Sequence, residues 1–203
     1  MAREPVQPEH LEEAAAFVTD VCRERADADW DLRAGPLEWS IRETVVHMTS
    51  TCTFYALHLA GRTRAELPVT LASVGAPSNH DLIAPIAASA QILADLARAA
   101  PPEQRGFHQA GLADVEGSLA MGCSELLVHV TDVTAGFGAR LPEDVCGRVV
   151  SRLDPWTSHE LLPSVALLWA NGRVDIGGAP PDPAPCPWHC APLDEPDTPG
   201  ALS

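Results

Sequence analysis

The stretch from Ser118 to Gly136, SLAMGCSELLVHVTDVTAG, restricts the fold more than any other part of the chain, because it combines the apolar content of a buried helix with a carboxylate and an imidazole. At ~100° per residue, Glu125 and His129 fall ~40° apart on one side of a helix, and Asp132 lies on the same stripe. The opposite side is apolar and can face a hydrophobic core: Leu119, Leu126, Leu127, Val130 and Val133. Burying Glu and His on such a helix costs free energy unless they are paired or bind a metal. The stretch therefore predicts a core helix whose polar stripe is paired or metal-bound.

The spacing of Glu125 and His129 has two interpretations. Residues four apart on a helix form solvated ion pairs, and they also start metal sites in helix bundles. A metal site needs a further ligand, and His47 is a candidate, two turns into a helix that begins at the capping box of Ser40 and Glu43. The alternative for His47, which is flanked by apolar residues, is a hydrogen-bonded core histidine.

Apolar periodicity predicts four helices, over residues 10–29, 40–61, 80–100 and 118–136. Pro85 suits a first helical turn, so the third helix is expected to begin close to it. The fourth is expected to end at Gly136 or Gly138. Since no strand pattern separates these helices, we predict an all-α protein built on a four-helix bundle.

The remainder of the chain is expected to extend this bundle. Short helices are predicted over residues 142–153 and 159–171, and the last segment contains eight prolines between Pro180 and Pro199. We therefore divide the chain into a metal-binding bundle (1–140), a helical extension (141–176) and a Pro-rich tail (177–203).

Composition excludes several classes of partner. The formal charge is −15, all 13 basic residues are Arg, and no basic patch is visible, so neither nucleic acid nor a membrane surface is an expected partner. The N-terminus, MAREPVQPEH, has no apolar segment typical of a secretory signal, which predicts a cytoplasmic protein. Its six cysteines are then expected to be thiols in a reducing compartment, with Cys52 and Cys123 packed in the core.

The tail contains the sequence CPWHC. Cys186, His189 and Cys190 could bind zinc, although a structural zinc site normally has four ligands in a recognised spacing. The alternative is that Trp188 docks on the bundle and the thiols have no ligand role.

Two motifs resemble one family. GPLEWSIRETVVHM resembles the W-S/T-x-R-x-x-x-x-H entry to the second helix of the DinB-like superfamily, and SELLVHVTD is similar to its HE-x-x-x-HRxD stretch. The closer resemblance is to actinobacterial proteins that share the N-terminal domain of mycothiol-dependent maleylpyruvate isomerase. It covers about residues 5–140, and LLWANGRVDI and the WHC-AP tail resemble endings seen in that group.

This resemblance implies a bundle that holds one divalent metal, for which zinc is the ion we favour, with His47, Glu125 and His129 as ligands. It also implies a low-molecular-weight thiol, mycothiol in actinobacteria, that adds to a small electrophilic substrate in a transfer or isomerisation. We expect Asp132 either to support the ligands from outside or to anchor the end of its helix, and His58, on the His47 stripe, is a candidate for proton transfer. The protein is expected to be a monomer or a homodimer.

The chain departs from the family pattern at Ser124, where His is common, and at Val130, where Arg is common, and it lacks most of the isomerase C-terminal domain. An alternative function is therefore a non-catalytic DinB-like metal-binding protein in stress or regulation. Two His and one carboxylate also describe the facial triad of non-haem Fe(II) oxygenases, which we disfavour because those enzymes normally use a β-barrel. A di-iron bundle would need further Glu and ExxH pairs.

Overall fold

The computed structural model describes residues 3–134, 138–157, 160–177 and 188–195. Within these ranges the chain is mainly helical, which confirms the predicted fold class. The elements are, in order, α1 (Pro8–Arg23), α2 (Ile41–Gly61), α3 (Asn79–Ala99), β1 (Gly106–His108), β2 (Gly111–Ala113), α4 (Val115–Val133), α5 (Glu143–Leu153) and α6 (Pro163–Ala170).

The first four helices form the bundle. Helix α3 packs against α1 and α2, and α4 also packs against α1 and α2, so that α1 and α2 occupy opposite corners. The core between them is apolar and fully enclosed; its larger members include Leu11, Met48, Ile86, Leu93, Leu126 and Leu127. This arrangement places α2 directly beside α4, which are the helices that carry the three candidate ligands.

Local capping signals explain where α2 and α3 begin. The backbone N–H of Glu43 donates to the Ser40 hydroxyl, and the Glu43 carboxylate accepts from the Ser40 N–H, as the sequence predicted. The predicted start of α3 near Pro85 was wrong. An equivalent capping box of Ser78 and Asp81 fixes the first turn at Asn79, and Pro85 lies inside the helix.

Other helix boundaries differ from the predicted ones. Helix α1 ends at Arg23 because the chain turns there to bury Trp30, whose indole N–H donates to the Arg25 carbonyl. Helix α4 begins earlier than Ser118, since Asp114 caps it by accepting from the Gly117 N–H. It ends at Val133, so the predicted end at Gly138 was wrong, because that residue is described and is not helical. The alternative end at Gly136 and the predicted start of α6 at His159 lie outside the described residues. Helix α6 is the shorter segment Pro163–Ala170.

A two-stranded antiparallel hairpin was not predicted. Strands β1 and β2 have only three residues each, too few to show an alternating pattern. Gly106 lets β1 lie directly against α2, because a Cβ there would be 2.7 Å from the Leu59 nitrogen. The hairpin thereby seals the side of α2 near its C-terminus.

Helix α3 has the length and hydropathy of a membrane-spanning segment, with a mean hydropathy of 1.3 over 18 residues. Its apolar side is used within the bundle, where Ile86, Ala90 and Leu93 are completely buried. Core packing therefore accounts for its composition.

The described part of the tail is tied to the bundle through one arginine. Arg152 on α5 is fully buried and its guanidinium donates to Asp114 and to the carbonyls of His189, Cys190 and Ala191. A buried guanidinium with this many acceptors is satisfied as an ion pair and as a hydrogen-bond donor. These described tail residues therefore dock on the bundle at the start of α4.

Candidate metal centre

Three side chains from two helices converge where α2 faces α4. His47 comes from α2, and Glu125 and His129 come from successive turns of α4; their potential ligand atoms all lie within 4.8 Å of one another. The Nε2 atom of His47 is 3.1 Å from Glu125 Oε2, and the Nε2 atom of His129 is 3.2 Å from the same oxygen. The structure thus brings together all three residues that the sequence singled out.

The donor set fits a divalent ion of the zinc class. Bonds of about 2.0–2.2 Å from nitrogen and oxygen place neighbouring ligand atoms roughly 3–4 Å apart around one ion, and Glu125 Oε2 lies 3.1 and 3.2 Å from the two Nε2 atoms. Two imidazoles and one carboxylate also leave a coordination position for a further ligand, the pattern of catalytic rather than structural zinc sites. His47, Glu125 and His129 would hold the ion.

An ion pair outside the trio orients His129. Its Nδ1–H donates to Asp132 Oδ2 at 2.9 Å, and Asp132 accepts two hydrogen bonds from Arg173, each of 2.9 Å. Because Nδ1 is engaged, Nε2 is the nitrogen left to face the centre, the usual way in which a carboxylate fixes the tautomer of a metal-binding histidine. Asp132 occupies the supporting position expected of it.

Sequence reasoning missed two residues of this outer layer. The Tyr55 hydroxyl donates to Glu125 Oε1 at 3.2 Å, which leaves Oε2 directed at the imidazoles. Tyr55 lies eight residues after His47 on α2, so a helical projection could have found it. Arg173 follows α6, 41 residues from Asp132, and no local pattern could have paired them.

The charged side chains of the site shift one another's pKa values strongly. Burial by itself would raise the pKa of Glu125, but hydrogen bonds from His129 and His47 hold this pKa well below its usual range. Burial by itself would lower the pKa of His129, yet its hydrogen bonds to Asp132 and Glu125 raise this pKa to about 9. Asp132 is likewise buried, and its hydrogen bonds to His129 and Arg173 lower its pKa. The Glu125 and Asp132 carboxylates thus hold a proton on His129, which a cation bound at Nε2 would replace.

One side of the centre is open. The side chain of His47 is 30% exposed, whereas those of Glu125 and His129 are 13% and 11% exposed. Trp39, itself 43% exposed, lies over the opening with its ring centre 4.8 Å from that of His47. A molecule that reaches the centre would therefore arrive past Trp39 and His47.

The structure gives His58 a different position from the one expected for proton transfer. Its Nδ1–H donates to the Phe54 carbonyl at 2.8 Å, and its Nε2 accepts from the Leu67 N–H at 2.9 Å. Since both ring nitrogens are bonded to backbone groups and the side chain is buried, His58 has a structural role. It joins α2 to the loop that follows.

A second histidine, His108 on β1, lies behind Tyr55. Burial lowers the pKa of His108 to about 4, so the ring is neutral. Its ring centre is 5.7 Å from that of Tyr55 and 6.0 Å from that of Trp188, against which it stacks. His108 thus connects the docked tail to the tyrosine that positions Glu125.

In the tail, Trp188 packs against the core, as the alternative to a zinc site proposed. Cys190 is completely buried, and the His189 ring lies 3.2 Å from the Pro192 carbonyl. Cys186 lies outside the described residues, so zinc binding by the tail stays a prediction. Four other cysteines are buried free thiols, as expected: Cys22, Cys52, Cys123 and Cys146.

Fold and site together define a helical-bundle protein with a potential metal centre between two helices. The sequence profile of the DinB superfamily matches residues 10–133, more than half of the chain, and the chain belongs to this superfamily. Neither a curated protein nor a solved structure matches it significantly. The match concerns the superfamily as a whole, so the closer resemblance to the maleylpyruvate isomerase group remains a prediction.

Proposed function

We propose that this protein is a metal-dependent enzyme that uses a low-molecular-weight thiol, mycothiol or a close analogue, to transform a small electrophile. The observation that carries the proposal is the convergence of His47, Glu125 and His129 beside an opening to solvent. DinB family members are often metal-dependent enzymes, which agrees with this donor set. The thiol and the electrophile would be its partners, and we expect a cytoplasmic monomer or homodimer.

A divalent ion bound by the trio would lower the pKa of a thiol at its open position, so that the thiol reacts as a thiolate near neutral pH. Glu125 supplies the negative charge that balances part of the charge of the ion, and the Tyr55 hydrogen bond keeps that carboxylate in place. Asp132 and Arg173 hold the His129 ring in position. Trp39 lies over the approach, with its ring next to that of His47.

The reaction that we favour is addition of the thiol across an activated carbon–carbon double bond. A sulfur–carbon bond forms, the π bond breaks, and the proton lost by the thiol ends on the neighbouring carbon. Loss of the thiol after rotation about the new single bond would give an isomerised product and regenerate the thiol. Without that loss, the product is a thiol adduct.

The departures from the family pattern do not remove any donor from the trio. Ser124 and Val130 are both completely buried on α4. Neither side chain lies at the opening beside Trp39, so these changes leave the ligand set as it is. The family resemblance therefore supports the metal centre more strongly than it supports any particular substrate.

The test is loss of free thiol when zinc-loaded protein is mixed with mycothiol and a panel of α,β-unsaturated acids and ketones. We expect loss faster than in buffer with at least one electrophile, and no such acceleration with His129→Ala. The matched control is His80→Ala, which removes an exposed imidazole from α3. Metal-loaded protein that accelerates no reaction would instead support the non-catalytic metal-binding alternative.

A further inference from the structure

A groove runs along the outer side of α2, beyond the metal centre. It has a volume of about 200 Å³ and lies between the second half of α2 and the loop that follows it. The helix contributes Thr51, Phe54 and Leu57, and the loop contributes Leu67, Val69 and Leu71, which form most of its apolar lining. For comparison, a cavity of about 150 Å³ lined by similar side chains binds benzene, so the groove has room for an apolar group of about six to eight carbons.

The groove continues the stripe of α2 on which His47 lies. At ~100° per residue, Thr51, Phe54 and His58 all fall within ~40° of His47 around the helix. With a rise of 1.5 Å per residue, they lie about 6 to 16 Å from it along the axis. The side of the centre that is open to solvent is the His47 side. A molecule anchored at the centre can therefore extend along α2 towards the groove, whose lining begins one turn away at Ser50 and Thr51.

The lining favours an uncharged, apolar occupant. The hydroxyls of Ser50, Thr51 and Thr53 each donate to a carbonyl of α2 itself, so they offer no free donor to a ligand. Among the described lining residues, Glu66 carries the only charge, and it would repel an anion. Leu57, Val69 and Leu71 remain 42%, 57% and 45% exposed, which is apolar area available for burial.

The outer wall of the groove is held by His58. The Leu67 N–H donates to His58 Nε2, and the Thr63 N–H donates to the His58 carbonyl. These bonds fix the start of the loop to α2 and leave the later residues, up to Leu71, facing the helix across the groove. This gives the buried histidine a place in the site even though its ring is not positioned for proton transfer.

From this geometry we infer that the groove binds the apolar tail of a substrate whose reactive end lies at the metal centre. The substrate class is then an electrophile with an uncharged hydrocarbon arm of about six carbons or more, rather than a small dicarboxylate. This inference rests on the metal centre of the proposed function and specifies which acceptor that centre serves.

Alkyl hydroxamates test this inference, because the hydroxamate head binds zinc and the chain reports on the groove. The dissociation constants of acetohydroxamate, hexanohydroxamate and decanohydroxamate would be measured by calorimetry on the zinc-loaded protein. Full burial of a methylene is worth about fourfold in affinity. Since the groove is half open, we expect a gain of at least about tenfold from the hexano to the decano compound.

Charged substitutions test whether the chain-length gain in affinity arises in the groove. Leu57→Asp and Leu71→Asp, one on each wall, should each abolish the chain-length gain and leave acetohydroxamate binding unchanged. The control is Ile92→Asp, an exposed apolar position on α3 outside the groove, which should retain the gain. Decanohydroxamate, but not acetohydroxamate, should also protect the backbone amides of residues 66, 67 and 69–71 from hydrogen exchange.

The outcomes separate the two proposals. Binding of acetohydroxamate with no chain-length gain, or a gain that both wall variants retain, would overturn the groove inference and leave the metal centre standing. If zinc-loaded protein failed to bind acetohydroxamate, the open coordination position on which the proposed function depends would be refuted and the groove inference with it.

Discussion

The affinity for metal should depend steeply on pH, and the structure gives the size of the effect. In the metal-free protein the hydrogen bonds to Asp132 and Glu125 outweigh burial and raise the pKa of His129 to about 9. A metal ion requires the unprotonated Nε2, so a proton must leave whenever the ion binds below that pH. Each unit of pH below about 9 then lowers the apparent affinity about tenfold. We expect the apparent association constant for zinc to rise about 50-fold from ~pH 7 to ~pH 9, because half of the His129 rings are still protonated at a pH equal to the pKa.

The assay is competition with a chromophoric chelator at several pH values, corrected for protonation of the chelator itself. Calorimetry in buffers of different ionisation enthalpy gives an independent count of the protons released, which should be about one near neutral pH. An affinity that changes less than about threefold across this range would refute the electrostatic description of the site.

The Asp132→Asn variant tests whether the pH dependence of zinc affinity comes from His129. The amide can still accept a hydrogen bond from His129 Nδ1, but it has no negative charge to stabilise the imidazolium. The pKa of His129 should therefore fall and the pH dependence of zinc affinity should flatten. An unchanged slope in this variant would show that the proton released does not come from His129.

Three further predictions concern stability and redox state. Asp154 is buried, its carboxylate has no hydrogen-bond partner among the described residues, and burial raises its pKa to about 7. The Asp154 carboxyl group therefore stabilises the fold fully below its unfolded pKa of ~4, and this stabilisation is lost as pH rises through about 7. Measured by urea unfolding, the free energy of unfolding of Asp154→Asn should rise by about 3 kcal/mol relative to that of the wild type from ~pH 5 to ~pH 9. Gly106→Ala should cost about 1–3 kcal/mol, since its Cβ would meet the backbone of α2, whereas Gly147→Ala on α5, with only ordinary contacts, should be neutral or stabilising in the same assay. Reductant should leave the melting temperature unchanged, and a large fall would show an obligatory disulfide.

Local signals in the sequence predicted the features that depend on a few neighbouring residues. The Ser40–Glu43 capping box fixed the start of α2, and the helical stripe placed Glu125 and His129 together. The convergence of His47 with them followed once the bundle was expected, because polar side chains on otherwise apolar helices must meet one another or a ligand.

Features that depend on distant contacts could not be predicted in this way. The pairing of Arg173 with Asp132 is set by how α6 docks on the bundle. The hairpin exists because Gly106 fits closely against α2, and strands of three residues have no sequence pattern that would predict this contact. His58 shares the stripe of His47, but the hydrogen bonds of its ring to Phe54 and Leu67 depend on how the loop folds back on α2, and they give it a structural role.

The central claim is that the trio between α2 and α4 holds a divalent metal, and metal analysis of the purified protein tests it most directly. We predict about one equivalent of metal, with zinc favoured, in the wild type, and loss of most of it in His47→Ala, Glu125→Ala and His129→Ala while each variant keeps its helical circular dichroism spectrum. Cys186→Ala and Cys190→Ala should keep the metal. If the two tail variants lose metal and the three bundle variants retain it, the site lies in the tail, and the account of the bundle as a metal centre is wrong.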